Sequence, residues 1–390
     1  MSKPKVIAFY LPQYHPIPEN DQWWGKGFTE WTNVGKAKPL FKGHYQPKVP
    51  ADLGYYDLRM PEVREAQAEL AKEAGIEGFC YWHYWFGNGK KILDYPFNEV
   101  LKSGKPDFPF CLGWANHDWT NKTWEGVSKK IKEQTLLKMK YNTIEYEKHF
   151  YDILPALKDK RYLTIDNKPI FLVFRPLDIP YPKEFIDFWQ KLAKKNGLNG
   201  IFFIGIQHNM LPSERTIKNF FTKKAPDKSK ELYDQIINAG FDAVNSRGYN
   251  RADYFTISFW KMLKNKLSVF FFNKKLLSIC EQKHINKYLY VDEDKRNDVF
   301  PTLIPNWDRT PRSGRMARIY HHSTPKVFDE QISFVKNLIK NKQDDRKILF
   351  LMSWNEWGEG NYVEPDLKYG KMYLNVLKKH FTNPTCKDED

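Results

Sequence analysis

The feature that most constrains this chain is an alternation of eight short apolar runs with polar loops and amphipathic helices. The runs are Lys5–Tyr10, Ile76–Trp82, Phe108–Trp114, Ile170–Arg175, Ile201–Gln207, Ala243–Ser246, Val299–Pro305 and Ile348–Trp354. Runs that stay apolar at successive positions belong to strands buried on both faces, as in parallel sheets covered by helices. The intervening helices carry their own punctuation. Pro61–Ala74 sets Val63, Ala66, Leu70, Ala71 and Ala74 on one face between Pro61 and Gly75, and Glu184–Lys195 is closed by Gly197. Glu231–Ala239, Asp329–Lys340 and Tyr369–Phe381 repeat the pattern. Eight such units predict an α/β fold, a (β/α)8 TIM barrel with long βα loops. A doubly wound sheet would want a glycine-rich phosphate turn after the first strand, and Leu11-Pro12-Gln13-Tyr14-His15 is no such turn. The expected organisation is one catalytic domain over residues 1–390, with an insertion at 248–297 between the sixth and seventh strands.

Composition adds constraints of a different kind. Lys and Arg number 62 against 47 Asp and Glu, giving a net charge of +15. The basic residues are scattered among apolar segments, with no zinc-finger spacing, basic-region helix or RNP-like run, so no nucleic-acid partner is expected. Within the insertion, Tyr254–Tyr288 concentrates Lys261, Lys264, Lys266, Lys274, Lys275, Lys283 and Lys287 among aromatic residues, with Glu281 as its one acid. Such a segment could pack on the barrel or lie on an anionic membrane surface, which makes 254–288 the expected place of any peripheral membrane contact. The start runs from Met1 directly into Val6–Tyr10, Cys80, Cys111, Cys280 and Cys386 follow no paired pattern, and no apolar stretch approaches the roughly 20 residues of a spanning helix. The expected location is the cytoplasm, at the inner face of the membrane if the insertion touches lipid.

Barrel enzymes carry their chemistry at the C-terminal ends of the strands. There this chain places Tyr10, Gln13, Tyr14 and His15; Tyr81, Trp82, His83, Tyr84 and Trp85; and Trp114, Asn116, His117, Asp118 and Trp119. Arg175, Gln207, His208, Asn245 and Arg247 follow, then Asn306, Trp307, Asp308 and Arg309, and finally Asn355, Glu356, Trp357 and Glu359. The loop Asn20–Asn33, with Trp23, Trp24, Glu30 and Trp31, is aromatic enough to wall a sugar cleft, since sugar C–H faces stack on indole. Trp23, Trp31, Trp85 and Trp119 are the expected stacking platforms. Glu356 and Glu359 are the expected catalytic pair, because glycoside chemistry needs one neutral and one ionised carboxyl and close like charges separate their pKa values. No metal or other cofactor is expected: the scattered His15, His83 and His117 and the pair His321-His322 form no HExxH pattern, and Asp292-Glu293-Asp294 has no apolar strand to aim it and reads as a solvated loop.

The chain resembles the WbsX-like proteins, grouped with glycoside hydrolase family 99-like domains of bacterial polysaccharide gene clusters. The resemblance runs end to end and rests on Phe9–Pro16, the Trp23–Asn33 loop, Gly78–Trp85, Trp114–Trp119 and Asn355-Glu356-Trp357-Gly358-Glu359-Gly360. It implies a retaining, endo-acting hydrolase of an α-mannoside-like linkage in a surface polysaccharide such as O-antigen lipopolysaccharide, or in its lipid-linked precursor. It further implies Glu356 as base toward the sugar 2-hydroxyl and Glu359 as general acid and base, through a 1,2-anhydro sugar. Gly358 departs from those hydrolases, which carry His beside the second Glu. Because WbsX-like proteins are also described as glycosyltransferases, a transferase of O-antigen or capsule assembly is the alternative.

Overall fold

The structure, a computed structural model, describes residues 3–121, 134–207, 228–256 and 276–382, with 263, 264, 267, 268 and 271. Eight parallel strands form the barrel: β1 (Lys5–Tyr10), β2 (Gly78–Gly87), β3 (Phe110–Trp114), β4 (Lys168–Val173), β5 (Phe202–Ile206), β6 (Ala243–Ser246), β7 (Val299–Leu303) and β8 (Ile348–Leu351). Neighbours in sequence pair in order. The ring closes because β1 pairs with β2 through Ile7↔Gly78 and with β8 through Lys5↔Ile348. Closure leaves no exposed edge, and every residue of β3, β5, β7 and β8 is buried.

The outer layer comprises α1 (Pro61–Glu73), α2 (Tyr95–Ser103), α3 (Thr143–Leu157), α4 (Pro182–Lys195), α5 (Ser229–Asn238), α6 (Tyr249–Thr256), α7 (Pro325–Leu338) and α8 (Met372–Phe381). Proline opens α1, α4 and α7, where its missing N–H costs nothing. One core runs from Val6 on β1 to Phe381 on α8. The strand ends differ most from the expected runs at β2, which extends to Gly87 because its last turn pairs antiparallel with Lys90–Ile92.

The described part of the insertion adds a small sheet, in which Ser278–Glu281 pairs with Arg318–His321 and that strand with Trp307–Asp308. Behind it lies a second core of Ala252, Cys280, Ile285, Leu289, Ile304, Trp307 and Tyr320. The insertion thus packs on the loop after β7; Lys261, Lys266, Lys274 and Lys275 lie outside the described residues, as do His208 and Cys386. The Asp292–Asp298 run is only partly the solvated loop expected. Asp294 is buried and accepts from the Ser246 hydroxyl at 2.6 Å and the Val291 amide at 2.9 Å, anchoring the end of β6. Cys80, Cys111 and Cys280 are buried and in no disulfide, and no described helix is long and apolar enough to cross a membrane.

Candidate active site

At the C-terminal end of the barrel lies a cleft of about 570 Å³. Its floor is set by the two-residue period of the strands, because only every second side chain points inward. Phe9 of β1 and Trp82 of β2 stack at 5.0 Å, Phe174 just past β4 closes on Trp82, and Arg247 follows β6. Glu356 and Glu359 stand on one wall, with Arg309, Arg312 and Trp307 beside them.

The two glutamates are presented by a hairpin after β8. Asn355–Glu356 pairs antiparallel with Asn361–Tyr362, and Trp357–Glu359 forms a tight helical turn ended by Gly360 in the left-handed region, φ 55°. This turn is pinned from below. The Asn355 side chain accepts from the Leu11 amide at 2.8 Å and donates to the Leu11 carbonyl at 3.1 Å, joining the ends of β8 and β1. The Tyr14 hydroxyl donates to the Asn355 carbonyl and accepts from the Trp357 amide. Trp357 is fully buried, stacks on Tyr362 at 3.7 Å and donates to Glu364 at 2.6 Å.

Arg312 organises the charges. From the short helix Thr310–Ser313 its Nη1 donates to Glu359 at 2.5 Å, its Nη2 to Glu356 at 2.9 Å and its Nε to Glu30 at 3.1 Å. Arg309 adds a contact to Glu359 at 3.4 Å. One guanidinium thus holds three carboxylates, and their protonation follows from who is nearest. Burial pushes the Glu356 carboxyl up to about 7, with Glu359 and Glu30 reinforcing the rise against the pull of Arg312. Burial would raise Glu359 too, but Arg309 and Arg312 outweigh it and hold that carboxyl below the ordinary range. Near neutrality Glu356 is therefore the member of the pair that more readily takes a proton, and Glu359 the one held as the carboxylate.

Glu30 is wholly buried, and its carboxylate occupies the space above Gly358: a Cβ at 358 would lie 1.7 Å from Glu30 Oε2 and 2.9 Å from Arg312 Nε. A side chain at 358 would have to displace the Glu30 carboxylate from this arrangement.

Of the residues expected at the strand ends, Gln13, Trp82, Tyr84, His117, Trp119, Arg175, Arg247, Trp307, Arg309, Glu356 and Glu359 line the cleft. Others face the helix layer. Tyr10 donates to Gln67 of α1 at 2.7 Å, Tyr81 packs on Phe97 of α2, His83 and Trp85 stack on His149 of α3, and Trp114 meets Phe185 of α4. Several act at one remove. Asn116 holds the Arg175 backbone, Gln207 accepts from the Arg247 amide, Asn306 bonds both backbone groups of Tyr362, and Asp308 caps Thr310 while accepting from Gln46. Trp31 donates to the Tyr56 carbonyl and packs under Trp357; Trp23 backs Trp119, Trp24 lies on Phe28, and His15 is buried near Tyr95. Of the four expected stacking platforms only Trp119 reaches the cleft wall.

Sequence reasoning left out Phe174, Tyr249, Arg312 and Arg318 as wall residues. A signal was available for the arginines: Arg309, Arg312, Arg315 and Arg318 recur every third residue just past β7. No group of three or more His, Cys, Asp or Glu side chains able to hold a metal ion gathers among the described residues.

Comparison with known proteins follows this geometry. Residues 6–377 match the family described as "Glycosyltransferase WbsX". Two proteins described as "Uncharacterized protein WxcX", from two strains of Xanthomonas campestris pv. campestris, are 32% and 31% identical over 383 residues, 97% of this chain and 49% of theirs. The chain thus spans about half the length of the curated relatives it matches. Among solved structures, a "Glycoside hydrolase-like protein" superposes with a TM-score of 0.58 at 15% identity over 98% of this chain and 94% of its own. A GH99 endo-alpha-mannosidase from Bacteroides thetaiotaomicron, in complex with BIS-TRIS-propane, gives 0.55 at 15% identity over 98% and 97%. At such identities the likeness is one of fold.

Proposed function

The chain belongs to the WbsX family, and from that premise we propose that it cleaves an α-mannoside-like linkage of a bacterial glycan with retention of configuration. Family and fold together support a carbohydrate-active enzyme of glycosidase or glycosyltransferase type. The observation that carries the finer reading is the pairing of Glu356 and Glu359 on one guanidinium beside an aromatic-walled cleft.

In this mechanism the Glu356 carboxylate takes the proton of the sugar 2-hydroxyl, and that oxygen attacks the anomeric carbon. The glycosidic C–O bond breaks as Glu359 protonates the departing oxygen. Water, losing a proton to Glu359, then opens the 1,2-anhydro ring at the anomeric carbon, and Glu356 returns its proton to the 2-oxygen. The starting state needs one proton on the pair, a count that the opposite shifts of the two carboxyls favour. Its position does not match, since Glu356 is the member raised and Glu359 the member lowered. Bound sugar must move the proton to Glu359, or the two roles are exchanged. An aryl mannoside with a dinitrophenolate leaving group separates these cases, because a good leaving group needs no acid. If Glu359 is the acid, Glu359→Gln retains the first step on that substrate while Glu356→Gln loses about 10²–10⁴-fold; the reverse pattern exchanges the roles.

The second reading, a transferase of O-antigen or capsule assembly, is favoured by the family's description. Incubation with free and lipid-linked α-mannosyl oligosaccharides, with and without sugar nucleotides, decides by mass spectrometry. Shorter products without a nucleotide establish the hydrolase; elongation only with a nucleotide overturns it. A lipid-linked substrate would bring the chain to a membrane, and the exposed Lys264, Lys283 and Lys287 of segment 254–288 suit an anionic surface. Flotation with anionic liposomes, unaffected by deletion of that segment, would reject this contact.

A further inference from the structure

Five arginines line the cleft, and four have carboxylate partners. Arg312 holds Glu30, Glu356 and Glu359; Arg309 meets Glu359; Arg318 pairs with Asp253; and Arg175 reaches Asp178 at 3.4 Å. Arg247 has no carboxylate partner among the described residues. It is 5% exposed, its Nε donates to Asn245 at 3.3 Å, and its Nη2 is buried with no acceptor. Its guanidinium lies over Phe9 at 4.4 Å, with the rings of Trp82 and Phe174 at 5.5 and 5.8 Å.

Burying a guanidinium without a counter-ion is costly, and stacking on aromatic faces offsets only part of that cost. Glu356 and Glu359, the nearby carboxylates, are already held by Arg312. Stacking occupies the faces of a planar guanidinium and leaves its edge for hydrogen bonds, the geometry that carboxylate and phosphate oxygens match. Arg175 stands across the same Phe174 ring, at 6.0 Å, and its Nε is also buried without an acceptor. A guanidinium with no counter-ion and a second buried N–H beside the same ring on the cleft floor would leave a neutral sugar poorly matched.

We infer that the floor of this cleft is a binding site for an anionic sugar, whose oxyanion substituent, a uronic acid carboxylate or a phosphate ester, sits on Arg247. This rests on the carbohydrate reading above and names its substrate class: a glycan with an acidic residue beside the bond acted on.

Calorimetric titration of the wild-type chain tests it with four probes: methyl α-mannoside, methyl α-mannosiduronate, mannose 6-phosphate and inorganic phosphate. The expected result is binding of at least one anionic sugar about tenfold or more tighter than the neutral glycoside, as one charge-assisted contact provides. The preference should vanish in Arg247→Gln and persist in part in Arg247→Lys; which anion gains identifies the substituent. Equal affinities in the wild type, an undiminished preference in Arg247→Gln, or binding of inorganic phosphate with neither anionic sugar overturns the inference. Should Arg247→Gln fail to fold, Arg247→Lys and the more exposed Arg175→Gln carry the test, each expected to reduce the preference and each refuting the site if it does not. Failure of every sugar to bind would instead refute the carbohydrate reading itself.

Discussion

Position 358 has no room for a side chain, because the Glu30 carboxylate and the Arg312 Nε fill the space a Cβ would enter. The group that fills this space, Glu30, is a buried carboxylate brought in by the first βα loop. Gly358→Ala should cost about 1–3 kcal/mol by overpacking, seen as a lowered urea midpoint, and Glu30→Ala in the same chain should recover part of that loss. If the two effects simply add, the contact is not what excludes a side chain. Glu30 also acts through charge. It is one of the carboxylates that raise Glu356, so removing it should lower that pKa from about 7. The active form in either assignment of roles is the singly protonated pair, so kcat/KM should fall as pH rises through about 7, where the second proton leaves. Glu30→Gln should move that alkaline limb to lower pH; a limb that stays in place or moves up would show that Glu30 does not tune the pair.

Along β2 the chemistry changes sides at every residue, and this separates what the sequence made legible from what it did not. The run Tyr81–Trp85 is visibly functional in composition, yet Trp82 and Tyr84 face the cleft while Tyr81, His83 and Trp85 face helices. A run apolar on both faces contains no alternation from which to read the inward side. The strands themselves were legible for the same reason, since burial on both faces leaves a continuous apolar mark; β6 appears at the expected residues despite its shortness. The catalytic turn was legible because two carboxylates beside glycines are conspicuous. Arg312 was not, because its importance comes from Glu30, remote in sequence and brought near by the barrel. The register makes a prediction. Trp82→Ala should weaken glycan binding with a modest loss of stability, whereas Trp85→Ala should cost about 3–5 kcal/mol as a core truncation and leave affinity nearly unchanged. Parallel titration and thermal melts of both variants decide, and loss of affinity confined to Trp85→Ala would invert the assignment of faces.

In the whole molecule the site depends on closure. Glu356 and Glu359 follow β8, Phe9 belongs to β1 and Leu11 comes just after it, and these strands, near opposite ends of the described chain, are hydrogen-bonded to each other. The outer layer repeats the link: α8 packs on α7 and reaches α1, where Gly75 lies so near Phe381 that a Cβ would stand 2.5 Å from its carbonyl oxygen. The insertion is tied in as well, since Asp253 of α6 holds Arg318 at the cleft wall and the second core joins α6 to the loop after β7. If these connections make residues 1–390 one domain, no large piece should fold without the rest. A chain ending at Lys340 would lack β8 and α8, leaving β1 and β7 with unpaired edges in what had been a closed ring. Such a chain should show no cooperative transition in urea by far-ultraviolet circular dichroism, while the full chain shows one. A sharp transition in the truncated chain would mean that its barrel segments are stable alone, and that the catalytic hairpin is added to a fold already complete.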